Sequence, residues 1–281
     1  MVSLKNEFQR NRYYVNRDKE MVRLIDILRN VRDFIDNLSN LAFGRDIPFY
    51  RKVGFADANI NLRSAARTLE SIRYCCKNAN FADAYTLLRK YRDDLFYYLY
   101  LLSVSDNSDI TEYVDVGHLK KEEKDIWDWA HNQQENLYIS EVLKYIAFHS
   151  AAKEAVHEFG LKELFDELAD KLNDYVHSNG YKFYNRPYQM LNSHREVRNL
   201  CNDFCNSTLT ITITFLFLTI LIRPLVVMST DYTDYLEVGD IPPDNSEYWV
   251  APFVSDFLTK YKDLLDEKCI IYLRKQTKME I

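Results

Sequence analysis

The chain has 281 residues, of which 47% are hydrophobic, and its 36 Lys and Arg against 42 Asp and Glu give a formal net charge of −6. Only 6 Gly and 6 Pro are present, which excludes turn-dense sandwiches, barrels and Rossmann-type folds. The hydrophobic fraction excludes wholesale disorder. The acidic balance argues against a protein coated with nucleic acid, although 36 cationic side chains allow a local basic patch.

The cysteines and the first residues indicate the compartment. The number of cysteines is odd and their spacing does not frame a small secreted scaffold; they are Cys75, Cys76, Cys201, Cys205 and Cys269. Residues 1–16 are polar and charged, which predicts no signal peptide. We therefore expect reduced thiols and a cytoplasmic location.

Apolar residues recur at three- and four-residue steps along most of the chain, the spacing that predicts amphipathic α-helices. The turn Asn78 to Asn80 is so short that the helices on either side are expected to pack antiparallel. The predicted helical segments are residues 17–43, 60–77, 81–104, 121–157, 161–177, 188–206 and 253–275. The sequence therefore predicts an all-α helical bundle. We divide it into an N-terminal helical segment (1–55), a central bundle (56–206) and an apolar helix with a helical tail (207–281).

The segment 208–228 is strongly apolar and carries one charge, Arg223. Its length is enough to span a bilayer. Arginines precede it and acids follow it, so in an inner membrane the residues before the segment would lie in the cytoplasm. Against this, the uncharged stretch 207–222 covers 16 residues, and its alternating threonines even permit a short strand. We expect a buried helix in a protein that stays soluble without detergent, with a membrane anchor as the alternative.

The end of the predicted helix 161–177 holds a candidate phosphate site. His177 lies at the C-terminus of this helix, where the helix dipole favours a protonated imidazole. Asn173 lies four residues earlier on the same face, and Lys171 six residues earlier. A protonated histidine beside a cation and an amide can hold a phosphate or act as a general acid. The alternative is a histidine that caps the last carbonyl groups and has no chemistry.

Basic residues also form a stripe across the predicted helices 60–77 and 81–104, with Tyr85, Tyr97 and Tyr98 interleaved. This combination can grip a nucleic-acid backbone and stack bases. The stripe consists of Arg63, Arg67, Arg73, Arg89, Lys90 and Arg92. The alternative is a solvated, salt-bridged face, because Glu70, Asp93 and Asp94 can neutralise much of the positive charge of the stripe.

No pattern predicts a metal or a cofactor. His194, Arg198, Cys201 and Cys205 share one helical face, but eleven residues of helix rise about 16 Å, too far for one tetrahedral ion. Buried core cysteines are the better interpretation. The sequence contains no GxGxxG, GxxxxGK[ST], GxSxG or HExxH motif, so nucleotide-driven, α/β-hydrolase and zincin chemistry have no support.

The stretches Tyr85 to Leu95 and Leu172 to Gly180 together resemble HEPN-type helical-bundle proteins found near abortive-infection and toxin–antitoxin functions. The resemblance covers roughly residues 60–180. It implies a four- or five-helix bundle that dimerises, acts in bacterial defence or stress, and engages RNA or a partner protein such as an antitoxin. Nuclease members carry an arginine four to six residues before a histidine on one helix.

This chain departs from that pattern, because residues 166–177 contain no arginine and Lys171 occupies the slot before His177. Lysine binds phosphate without the planar fork of arginine. If RNA is cleaved, His177 is the expected acid or base, and Lys171, Arg89 or Arg92 would stabilise the phosphorane. The alternatives are a membrane-anchored helical effector and a non-catalytic interaction module.

Overall fold

The structure, a computed structural model, describes residues 4–43, 45, 59–106, 116–131, 133, 138–176, 193–241, 249–277, 279 and 281. Within these ranges all regular elements are helices and there is no strand, which confirms the all-α prediction. The α-helices are α1 (Leu4–Val15), α2 (Lys19–Ala42), α3 (Asn59–Lys77), α4 (Phe81–Asp106), α5 (Lys121–Ala130), α6 (Ile139–Phe148), α7 (Lys153–Glu158), α8 (Leu161–Val176), α9 (His194–Ile222), α10 (Thr230–Glu237), α11 (Pro252–Lys260) and α12 (Glu267–Thr277).

The predicted helices agree with α2, α3, α4 and α8 to within two residues at each end. Two long predictions are divided. The segment 121–157 corresponds to α5, α6 and α7, and the segment 253–275 corresponds to α11 and α12 with the 3₁₀ turn Lys262–Leu264 between them, each to within two residues at its ends. Helical periodicity continues across such breaks, because short helices on one core present their apolar residues with similar spacing.

The apolar segment is the second half of α9, a helix of 29 residues, followed by the 3₁₀ turn Pro224–Val227. Its threonines lie in a helix and not in the strand that their alternation permitted. The Oγ1 atoms of Thr208, Thr212 and Thr219 donate to the carbonyl four residues earlier, at 2.8–2.9 Å. These bonds satisfy the buried hydroxyls within the helix itself.

The helix α9 is long and apolar enough to cross a membrane, and 89% of its most apolar window is buried inside the protein. The core helix of a soluble protein has the same length and composition. The choice between a buried helix and a membrane anchor therefore stays a prediction.

The chain folds as two compact units made of alternating segments. Unit 1 comprises residues 1–35, 64–93 and 162–212, and unit 2 comprises residues 36–63, 94–161 and 213–281. Every boundary between them falls inside a helix. Each unit therefore includes residues from all three of the consecutive segments that we derived from the sequence.

The core of unit 1 centres on aromatic rings. The Tyr85 ring stacks on Tyr175 with a centroid distance of 4.2 Å and meets the edge of Phe204 at 4.7 Å. Buried aliphatic side chains of this unit on α2, α3, α4, α8 and α9 include Leu24, Leu28, Leu69, Leu88, Leu172 and Leu200. Large apolar side chains of this kind supply most of the free energy of folding.

Unit 2 packs around the apolar end of α9. Phe217 contacts Phe159 and Tyr272, with centroid distances of 5.6 and 6.4 Å, and Phe215 lies 6.1 Å from Tyr98. The guanidinium of Arg45 donates to the carbonyl oxygen of Met228 and, at 3.1 Å, to Thr230 Oγ1. Arg45 thus satisfies backbone groups just beyond the end of the apolar helix.

Candidate functional site

Lys171 belongs to a polar cluster in unit 1 that joins α8, α9 and α4. Its Nζ atom lies 2.5 Å from Asp203 Oδ1 and 2.8 Å from Ser207 Oγ. The second carboxylate oxygen of Asp203 accepts the hydroxyl of Tyr85 at 2.6 Å. The Lys171 ammonium is therefore already compensated by a carboxylate, and a phosphate bound there would have to compete with Asp203.

The other two residues of the predicted phosphate site are placed differently. Asn173 is half-buried on α8, two residues beyond Lys171. His177 follows the last residue of α8 and lies outside the described residues. The geometry that would join His177 to Lys171 therefore remains a prediction.

The two arginines predicted from α4 are paired within their own helix. Arg89 Nε lies 3.8 Å from Asp93 Oδ2, and Arg92 donates to Asp93 Oδ1 from Nε at 2.9 Å and from Nη2 at 2.6 Å. Arg92 is only 2% exposed. It cannot contact a ligand at the surface without a change in packing, so the structure favours the salt-bridged alternative for this part of the stripe.

The part of the stripe on α3 is mixed. Arg63 and Arg67 are exposed, as a phosphate contact requires. Arg73 instead donates to Glu70 at 2.6 Å, and the same carboxylate accepts Arg32 of α2 at 2.7 Å. Two guanidinium groups on one carboxylate form a network that stabilises unit 1 and leaves less cationic surface.

Cys201 and Cys205 behave as core residues. Burial raises the pKa of Cys201 and Cys205 to about 12. The thiol of Cys201 lies 3.3 Å from the sulfur of Met21. His194, at the start of the same helix, is exposed and approaches Asp18 at 3.8 Å. Among the residues that the structure describes, no group of three or more His, Cys, Asp and Glu could hold a metal ion.

Charge is distributed unevenly between the two units. Counted from the sequence, unit 1 has 20 Lys and Arg against 15 Asp and Glu, a net charge of +5. Unit 2 has 16 Lys and Arg against 27 Asp and Glu, a net charge of −11. The acidic total of the chain therefore conceals a basic unit, and charge asymmetry of this kind is typical of proteins that bind polyanions.

Six exposed cations of unit 1 lie on α1, on α2, between these two helices, and at the start of α9. We call the following residues the basic surface: Arg12, Arg17, Lys19, Arg23, Arg195 and Arg198, all of which are exposed. Two contacts bring the start of α9 beside α2, since His194 approaches Asp18 and Arg23 donates to Asn202 at 3.3 Å. Arg17, Lys19 and Arg23 line a shallow, open depression together with Val22, Asp26 and Ile27.

Four acids lie among these cations: Asp18, Glu20, Asp26 beside Arg23, and Glu196 between Arg195 and Arg198. Asp18 accepts the backbone N–H groups of Glu20 and Met21 at 2.9 and 3.2 Å, so its carboxylate caps α2. Glu20 lies 3.5 Å from Arg23. Because the remaining cations of the basic surface lack such close carboxylates among the described residues, an excess of positive charge faces solvent.

Exposed tyrosines accompany these arginines. Tyr13, Tyr14 and Tyr74 are 54%, 51% and 57% exposed, respectively. The guanidinium carbon of Arg17 lies 3.7 Å from the centroid of Tyr13, and that of Arg12 lies 5.3 Å from the centroid of Tyr74. These distances are typical of cation–π contacts.

Our sequence interpretation missed this cluster, because it used residues 1–16 only to exclude a signal peptide. The available signal was the run Arg10-Asn-Arg12-Tyr13-Tyr14, which mixes arginine with adjacent aromatic residues. Tyr74 could not be added to the cluster from the sequence, since about sixty residues separate it from Arg12.

The fold and this surface define an all-α helical-bundle protein in which a basic unit carries exposed arginine and tyrosine side chains. Comparison with known proteins finds no matching family model, no matching curated protein and no matching solved structure.

Proposed function

We propose that the protein engages RNA through the basic surface of unit 1. The observation that carries this proposal is the segregation of charge, +5 in unit 1 against −11 in unit 2. Phosphate groups bind to clustered exposed Lys and Arg mainly through release of counterions, so a local excess of cations matters more than the charge of the whole chain.

The separation of paired and exposed cations supports the same surface. Arg73, Arg89 and Arg92 have carboxylate partners within 4 Å on their own helices. In contrast, Arg12 and Arg17 lie against tyrosine rings, which are neutral and do not offset the positive charge. We therefore assign the phosphate contacts to the basic surface, with exposed Arg67 of α3 as a further candidate, and not to the interior of α4.

The resemblance to HEPN-type proteins adds a biological context to this proposal. A defence or stress protein that dimerises and acts on RNA would need a surface that holds the RNA backbone. His177 is the candidate acid or base of a ribonuclease step. In this step a 2′-hydroxyl loses its proton and attacks the adjacent phosphate while the bond from phosphorus to the 5′-oxygen breaks, which leaves a 2′,3′-cyclic phosphate and a protonated 5′-hydroxyl. In this proposal Lys171 positions α8 through Asp203 instead of contacting the phosphate.

The binding experiment is a titration of total RNA at several salt concentrations. The triple variant Arg17→Gln, Lys19→Gln, Arg23→Gln removes three cations of the basic surface. We expect it to weaken binding about 10- to 100-fold near 0.1 M salt and to lower the slope of log K against log salt by about 2. The matched control, Lys260→Gln, Lys268→Gln, Lys275→Gln, removes three exposed cations of unit 2 and should leave affinity close to that of the wild type.

Absence of RNA binding by the wild type, or equal losses in the two triple variants, would refute the proposal. A second experiment addresses catalysis. Wild type and His177→Ala are induced in a bacterial host, and growth and RNA integrity are followed. RNA fragmentation that the substitution abolishes would assign the step to His177, whereas toxicity without RNA damage in both proteins would contradict a ribonuclease.

A further inference from the structure

We infer that Tyr13, Tyr14 and Tyr74 form a stacking site for unpaired nucleobases, so that the basic surface selects single-stranded over double-stranded RNA. The inference rests on the proposed RNA binding and adds a substrate class to it. The observation behind it is the placement of three tyrosines, each more than half exposed, beside Arg12 and Arg17 within unit 1.

The arginine between α1 and α3 is held in place before any ligand arrives. Arg12 donates from Nε to Asn78 Oδ1 at 2.7 Å and from Nη2 to the hydroxyl of Tyr74 at 3.0 Å. Asn78 is itself fixed by two hydrogen bonds. Its backbone carbonyl oxygen accepts the side-chain amide of Asn11 at 3.2 Å, and its own side-chain amide donates to the backbone carbonyl of Tyr74 at 2.8 Å. A preorganised arginine and ring lose less conformational entropy on binding.

The tyrosines present their rings in different directions. Tyr13 and Tyr14 are 5.5 Å apart with an interplanar angle of 88°, so their faces point along nearly perpendicular axes. Arg17 covers one face of Tyr13, and it also donates to the Tyr13 carbonyl at 3.1 Å. Bases can therefore stack on the open ring faces or on the outer plane of the guanidinium.

Base stacking requires a base outside a duplex. In A-form RNA the bases are paired and stacked on one another, and a side chain reaches mainly phosphates and 2′-hydroxyl groups. A single strand can place its bases on the tyrosines while its phosphates contact the neighbouring arginines. The basic surface alone would bind both forms, whereas the tyrosines would add affinity only for the single strand.

The experiment compares binding of a short unstructured RNA oligonucleotide with binding of the same RNA annealed to its complement. The variant is Tyr13→Ala, Tyr14→Ala, Tyr74→Ala in the full chain. We expect a loss of about 5- to 100-fold for the single strand and little change for the duplex. The conservative variant Tyr13→Phe, Tyr14→Phe, Tyr74→Phe keeps the rings and should retain most single-strand affinity.

The control Tyr138→Ala, Tyr235→Ala removes two exposed tyrosines of unit 2 and should change neither affinity. Unchanged single-strand affinity in the alanine variant would overturn the inference. Equal losses for single strand and duplex would also overturn it. Binding of neither RNA by the wild type would instead refute the proposed function, which distinguishes the two failures.

Discussion

The Nζ atom of Lys171 lies 2.5 Å from Oδ1 of Asp203, and this ion pair joins α8 to α9 inside unit 1. The same carboxylate accepts the hydroxyl of buried Tyr85 at 2.6 Å. A lysine that the sequence offers as a phosphate ligand is thus part of a polar link between three helices. Its local environment makes it a positioning residue in the proposed function.

The Lys171–Asp203 pair should contribute to stability and not to RNA affinity. We expect Lys171→Met to lower the free energy of unfolding by about 1 kcal/mol, because both side chains of this pair are partly exposed. Urea unfolding of Lys171→Met, Asp203→Asn and the double variant measures their coupling. A strong loss of RNA binding by stably folded Lys171→Met would contradict this assignment and return Lys171 to the phosphate site.

The buried thiols should be unreactive until the protein unfolds. Burial raises the pKa of Cys201 and Cys205 to about 12, and burial also raises the pKa of Cys76. The thiolate is the reactive form, so at pH 8 these three cysteines should react with an aromatic disulfide reagent only in denaturant. Mass spectrometry of the labelled protein should place any early modification on half-buried Cys75 and Cys269.

The double variant Cys75→Ser, Cys269→Ser is the control, and it should show no fast phase of labelling. Rapid modification of Cys201 or Cys205 in this variant, at a rate faster than unfolding, would show that the α9 core opens locally.

The network around Glu70 should make stability depend on pH. The hydrogen bond from Arg73 is the largest effect on the pKa of Glu70 and lowers it. Burial raises this pKa, and the hydrogen bond from Arg32 lowers it further, so that the pKa lies below its ordinary value. Because the folded-state pKa lies below the unfolded-state value, the stabilisation is complete above the unfolded-state pKa. It is lost as pH falls through the folded-state pKa. We expect Glu70→Gln to cost about 0.2–1 kcal/mol at pH 7, as is typical of exposed pairs.

This cost should shrink as the pH falls and disappear once Glu70 is protonated in the folded wild type too. Thermal unfolding of the wild type and of Glu70→Gln, followed from pH 7 into the acid range, measures this difference in stability. Glu163→Gln is a matched control on the exposed side of α8, and it should show little difference at any pH. A Glu70→Gln penalty that grows on acidification would contradict the sign.

The apolar half of α9 should behave as a core helix. We expect the full chain to remain in the supernatant after carbonate extraction and to purify without detergent, because 89% of the apolar window is buried. Substitution of fully buried Leu216 by Lys should then unfold unit 2, since an unpaired buried charge is costly. Recovery of the wild type only in the carbonate-resistant pellet would support the membrane alternative.

The sequence by itself determined the helical class and the positions of four of the twelve described α-helices. Periodic apolar residues and the turn at Asn78 to Asn80 are local signals, so α2, α3, α4 and α8 could be placed from them. The sequence also predicted that Cys201 and Cys205 belong to the core, and both are buried. It did not reveal the breaks between α5, α6 and α7, because apolar residues keep helical spacing on either side of these breaks.

Only the tertiary structure decided which charges are compensated and which face solvent. Asp203 lies 32 residues from Lys171 along the chain, and Arg12 meets Tyr74 across 62 residues, so neither contact has a local signal. The excess of cations in unit 1 arises because three segments that are separate along the chain fold together into this unit. Helix formation depends on neighbours three or four residues apart, whereas ion pairing and charge segregation depend on how distant segments pack around each core.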